Sequence, residues 1–133
     1  MVEAHAWNEK LDLEHEAMDH EHHLQIALLS ALIEAVEERR PSFARRLAEQ
    51  LVRYSTVHFG SEELLMEASG YEARDAHAGE HSTFLAQMRE LEASCAEETG
   101  ELALAAALDL RSALAAHIGD ADRRLAAQAR RGR

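Results

Sequence analysis

Imidazole and carboxylate side chains recur along this chain at the spacing of one helical turn. The stretch HFGSEELLM (58–66) sets His58 four residues before Glu62, HAGEH (77–81) sets His77 four before His81, and HIGDAD (117–122) follows His117 with Asp120 and Asp122. Upstream, MDHEHHL (18–24) holds Asp19, His20, His22 and His23. Imidazole and carboxylate together suit iron, zinc, manganese or copper. Two imidazoles one turn apart can grip a single ion. One histidine on an apolar face is ordinarily a core residue with one hydrogen-bond partner, and H-x-x-x-E alone is an ordinary i,i+4 pair. Nine histidines, most of them in short groups, call for more than that.

The elements that must position these residues are helices. The chain has one proline, Pro41, few β-branched residues and long Ala/Leu/Glu/Arg tracts, a composition that favours helix. Four are expected: about Met18 to Glu38, from an N-cap at Ser42 to just before Gly70, Ala73 to Glu97, and Thr99 or Gly100 to Gln128. The first ends before Arg40-Pro41 because the residue preceding proline is pushed out of the helical region. Short links make the helices antiparallel neighbours. The expected fold is therefore an all-α, up-down-up-down antiparallel four-helix bundle, with the first dozen residues, Trp7 among them, as an N-terminal arm.

Apolar residues at steps of three and four define each inward stripe. The first helix offers His22, Ile26, Leu29, Ile33 and Val36; the second Phe43, Leu47, Leu51, Tyr54, His58, Glu62, Leu65 and Met66. The third offers His77, His81, Phe84, Met88, Leu91 and Cys95, and the fourth Leu110, Leu114, His117, Ala121 and Leu125. Every helix thus carries an inward histidine, and antiparallel packing brings all of them toward one end. Of His20, His22 and His23, only His22 shares the stripe with Ile26 and Leu29. A buried Glu62 carboxylate costs several kcal/mol unless a positive partner meets it. At about 100° per residue, Asp120 lies about 60° from His117 and Asp122 about 140° away, so spacing alone leaves the choice between them open.

Composition limits the alternatives. A chain of 133 residues suits one domain, 1–133. A net charge of −11 repels phosphate and argues against nucleic acid. No run of 18 or more apolar residues occurs and the N-terminus is polar, so neither a membrane span nor a signal peptide is expected. A single cysteine, Cys95, allows no internal disulfide and suits the cytoplasm. Nothing requires an oligomer. H-E-x-x-H and E-x-x-H motifs are absent, which argues against a zinc protease and a ferritin-like di-iron oxidase.

As a set, and in order, these segments resemble the hemerythrins, especially the bacterial single-domain form. That family's pattern is D-x-x-H, H-F-x-x-E-E, H-x-x-x-H and H-I-x-x-x-D with a tryptophan near the N-terminus. Asp19 and His22, His58 through Glu63, His77 and His81, His117 and Asp122, and Trp7 match it. The resemblance implies two iron ions held by His22, His58, Glu62, His77, His81, His117 and Asp122, with a bridging oxo or hydroxo group. It selects Asp122 over Asp120, which needs a loosened turn near Gly119. It assigns His77, His81 and His117 to one iron and His22 and His58 to the other. With two bridging carboxylates and a bridging oxygen, the first iron is six-coordinate and the second five-coordinate. The implied function is reversible binding of O2, or another diatomic ligand, at the open position. The alternatives are a di-iron enzyme acting on peroxide or NO, and a structural metal-binding bundle. The chain departs from the family pattern at Glu14 and His15, where His15 is either a surface histidine preceding the helix or, with Glu14, makes the pocket entrance more polar, and at Gln25, where the family has leucine three residues after the ligand.

Overall fold

Helix α1 spans Glu16–Glu37, α2 Pro41–Ser69, α3 Arg74–Ala96 and α4 Gly100–His117. A π-helical turn, Ile118–Asp122, carries α4 on into α5, Arg123–Arg131, so the last two helices form one interrupted rod. The computed structural model describes residues 11, 13, 15–96 and 100–131. Trp7 and most of the expected arm lie outside them, as does Glu14. Helix α1 packs on α2 and α4, and α3 packs on the same two, which closes a square of four rods. Segments 38–40 and 70–73 are too short to join anything but antiparallel neighbours. The all-α four-helix bundle expected from the sequence is the fold observed.

Local chemistry sets the helix ends. His15, extended at φ −133°, caps α1 by accepting the Met18 N–H at Nδ1, 3.3 Å away. Asp19 reaches back one turn to accept the N–H groups of Leu13 (2.9 Å) and His15 (3.3 Å). That ties down the approach to α1, and Leu11 and Leu13 are both buried. His15 thus lies just before the helix, one of its two expected places, and serves there as the cap. The C-termini of α1 and α2 end alike. The Arg40 N–H bonds the Ala35 carbonyl and the Arg39 N–H that of Val36; Tyr71 and Gly70 do the same with Met66 and Glu67. This motif puts its pivot residue in the left-handed region. Gly70 takes that role at φ 63° without cost, whereas Arg39 takes it at φ 56° against its own Cβ. The expected cap at Ser42 is not formed. Helix α2 begins one residue earlier, with Pro41 at N1, where a missing N–H costs nothing.

The bundle core runs through Leu29, Leu32 and Ile33 of α1, Ala44, Ala48 and Leu51 of α2, Met88 and Leu91 of α3, and Ala107, Leu110 and Leu114 of α4. Each such Leu, Ile or Met stabilises the fold by about 1.5–3 kcal/mol. The stripes expected on α3 and on the last rod are buried throughout. On α2 the buried line is rotated by about one residue. It follows Ala44, Ala48, Leu51, Ser55, Phe59 and Met66 beside His58 and Glu62, and it leaves Leu65 60% exposed. Large residues at Phe43, Leu47 and Tyr54 made the sequence stripe look displaced, because small Ala44 and Ala48 carry no periodic signal of their own. The segment Gly100–Ala129 is long and apolar enough to cross a membrane by length and composition. Its inner face carries the core residues Leu110, Leu114 and Leu125, and its outer face is rich in alanine (105, 106, 113 and 116), with Leu102 and Leu108 exposed beside them.

Candidate metal centre

Seven polar side chains from all four rods meet near one end of the bundle, and none is more than 3% exposed: His22, His58, Glu62, His77, His81, His117 and Asp122. Their arrangement is divided. Glu62 Oε1 lies 3.0 Å from His81 Nε2 and 3.5 Å from His77 Nε2. Its other oxygen, Oε2, lies 3.2 Å from His58 Nε2 and 3.4 Å from His22 Nε2. Asp122 does likewise, with Oδ1 2.9 Å from His77 and 3.0 Å from His117, and Oδ2 3.0 Å from His22. The donors thus fall into two groups that share both carboxylates. One contains Glu62, His77, His81, His117 and Asp122; the other contains His22, His58, Glu62 and Asp122.

The π-helical turn brings Asp122 into this cluster. Its i→i+5 register places residue 122 over residue 117, which a regular helix would not do. Asp122 is 1% exposed, while Asp120 points outward and pairs with Arg124 at 3.3 Å. Leu11 packs beside Gly119 in the same turn. His20 and His23 are exposed, as expected.

Eight buried atoms of the cluster lack hydrogen-bond partners within the described chain: the five Nε2 atoms, both Glu62 oxygens and Asp122 Oδ1. Leaving so many buried polar atoms unsatisfied is costly. Metal–ligand bonds of about 2.1 Å at right angles would separate neighbouring ligand atoms by about 3.0 Å, close to the spacings seen here. The donor set therefore fits metal ions. In the protein without metal, protons serve instead. Burial lowers the pKa of His22, but the nearby Asp122 and Glu62 carboxylates outweigh it and raise the value to about 9. His77 is raised to about 9 in the same way. Burial opposes ionisation of Glu62 and Asp122, yet the surrounding imidazoles hold both carboxyls well below their usual range.

A second layer was not anticipated as site chemistry. Glu21 Oε1 accepts from His58 Nδ1 at 2.6 Å, Glu63 Oε2 from His81 Nδ1 at 2.9 Å, and Glu80 Oε1 from His117 Nδ1 at 3.1 Å. Each bond holds the ring proton on Nδ1 and leaves Nε2 free for a metal. Going round the square, a glutamate on each helix supports the histidine of the next: α1 to α2, α2 to α3, α3 to α4. The signal is visible in retrospect, because each of these glutamates is the immediate sequence neighbour of a cluster residue. Its rotation by about 100° turns it toward the adjacent helix. Phe59 adds a stacked ring against His81, with centroids 4.1 Å apart.

A buried imidazole–carboxylate cluster held between four antiparallel rods defines a class, the cation-binding four-helix bundles. Within it, the chain belongs to the hemerythrin family: residues 13–129 match the hemerythrin HHE cation binding domain. Relatives include a bacteriohemerythrin of Ralstonia nicotianae, 32% identical over 119 residues, 88% of this chain and 82% of the relative. A myohemerythrin of Theromyzon tessulatum is 28% identical over 102 residues, covering 76% and 79%. A bacteriohemerythrin of Pseudomonas paraeruginosa is 29% identical over 84 residues, 63% of this chain and 55% of the relative, so the match spans about half of that relative's length. No solved structure gives a significant match.

Proposed function

We propose that the chain, as one domain over residues 1–133, binds two iron ions and reversibly binds O2 at one of them. In this reading His77, His81 and His117 hold one ion, His22 and His58 hold the other, and Glu62 and Asp122 each give one oxygen to each. An oxo or hydroxo group would complete the pair. The observation that carries the proposal is the division of the donors: each carboxylate turns one oxygen to each histidine group, and the His22 group is one donor short. Three histidines would hold one ion and two the other, so the ion at His22 and His58 would keep a position for a small ligand. When bound, the iron pair supplies the two electrons that O2 binding requires. The chain's own part is to fix the Nε2 atoms of His58, His81 and His117 through Glu21, Glu63 and Glu80, and to keep bulk water away with Ile26, Leu29, Leu51 and Phe59, all at most 1% exposed. The buried, unpaired thiol of Cys95 fits a reducing, cytoplasmic setting.

Metal analysis and a visible spectrum of the anaerobically reduced protein, before and after air, test this reading. Two irons per chain and an absorption band that appears with O2 and fades when O2 is removed are the expected results. One ion per chain, or a spectrum indifferent to O2, would overturn it. Steady consumption of peroxide with a reductant would instead favour an enzyme.

A further inference from the structure

Ten buried side-chain atoms lack a hydrogen-bond partner in the described chain, and the metal centre accounts for eight. The two left over are His22 Nδ1 and Gln25 Oε1. Both residues are fully buried at 0% exposure, and they lie three apart on one face of α1, about 4.5 Å along its axis. They are of opposite type. With Nε2 given to a metal, His22 Nδ1 carries a proton to donate, and Gln25 Oε1 can only accept. Gln25 is fixed in place from the other side, since its Nε2 donates to the buried Ser55 Oγ at 2.9 Å.

The round of supporting glutamates explains why His22 is left over. Helices α1, α2 and α3 each supply a glutamate next to a cluster residue, but the last rod has Ala116 and Ile118 beside His117, and Ala121 and Arg123 beside Asp122. No neighbour there is an acceptor. Gln25 and Ser55 also sit three residues from His22 and His58, the two histidines of the group that is one donor short. Ile26, Leu29 and Leu51, within about one turn of Gln25 or Ser55, are buried and apolar.

Building on the metal centre proposed above, we propose that His22, Gln25 and Ser55 form a polar subsite for one water molecule beside the His22–His58 metal position. The water accepts from His22 Nδ1–H and donates one proton to Gln25 Oε1. His22 is then steadied by a neutral link where His58, His81 and His117 have carboxylates.

The test uses the metal-loaded protein. In its crystal structure an ordered water should lie within about 3.2 Å of both His22 Nδ1 and Gln25 Oε1. Gln25→Leu, similar in volume but without the acceptor, should lose that water and keep its full metal content. With zinc as a diamagnetic stand-in, the His22 Nδ1–H proton resonance should shift upfield in Gln25→Leu. Those of His58, His81 and His117, each on its own carboxylate, should stay. Full metal content with a dry gap, a direct His22–Gln25 bond, or an unmoved His22 resonance would overturn the subsite and leave the metal centre standing. Failure to bind metal at all would overturn the centre and the subsite with it. Should Gln25→Leu not fold, the wild-type crystal structure alone decides.

Discussion

The two ends of this bundle are built on opposite principles. At one end, where α1 and α3 begin and α2 ends, seven polar groups are buried among one another, and eight of their atoms lack hydrogen-bond partners within the described chain. Toward the other end, Leu32, Ile33, Ala44, Ala48, Met88, Leu91, Ala103 and Ala107 bury apolar surface and no charge. The apolar half stabilises the fold outright. The polar half costs stability until something positive enters it, since a buried, unsatisfied carboxylate or imidazole is a net penalty. The bundle can carry such a site because the rest of its length offsets the expense.

Removing a carboxylate on which both donor groups depend should have the largest effect. Glu62→Ala takes one oxygen from each group, and the purified protein should retain neither ion by elemental analysis; two ions per chain in this variant would break the division of the donors. At the apolar end, Met88→Ala should lower unfolding free energy by about 2–5 kcal/mol in urea titration. Its metal content should be unchanged. Loss of metal in that variant would show that the two ends are not separable.

Without metal, the polar end should make stability depend on pH, by on the order of a few kcal/mol. His22 and His77 have folded-state values of about 9, above the ordinary 6.5. Their contribution is fully present below about 6.5 and is lost as pH rises through about 9. Glu62 and Asp122 are depressed, so their contribution is present above the ordinary carboxylate values and lost as pH falls below them. The urea midpoint of the metal-free protein should therefore peak in weakly acidic solution and decline toward pH 9. A flat profile over that range would contradict the proton-sharing network. Smaller still is the effect of a supporting glutamate. Glu63→Ala should weaken metal affinity about 10–100-fold in chelator competition, without abolishing binding. An affinity equal to wild type would leave Glu63 with no part in holding His81. The smallest change is at the apolar end, where Arg39→Gly relieves a left-handed residue and should stabilise the fold by about 1 kcal/mol. A lower midpoint would show that the Arg39 side chain contributes more than its backbone costs.

Much of the site was legible because its signals are local. His58 and Glu62, or His77 and His81, face the same way on any regular helix, and an inward stripe on each of four helices leaves one end for them to meet. Gly70 announced the end of α2 for a similarly local reason, while the Arg39 turn carried no glycine to mark it. Ser42 misled because serine is a good cap in general, and here proline at the first helical position decided the boundary.

What the sequence by itself determined is the set of helices and the faces their histidines share, since helical period and turn chemistry act within a few residues. Tertiary structure decided three things that spacing along a helix left open. The π-helical turn places Asp122, which the family resemblance selects, rather than Asp120 in the cluster, because inserting a residue into a helix is favourable only where the surrounding chain gains from it. The partition of each carboxylate between two histidine groups depends on rods remote in sequence arriving at the same level. And Glu21, Glu63, Glu80 and Gln25 acquired their places from the helix or side chain opposite, which no spacing along a single helix records.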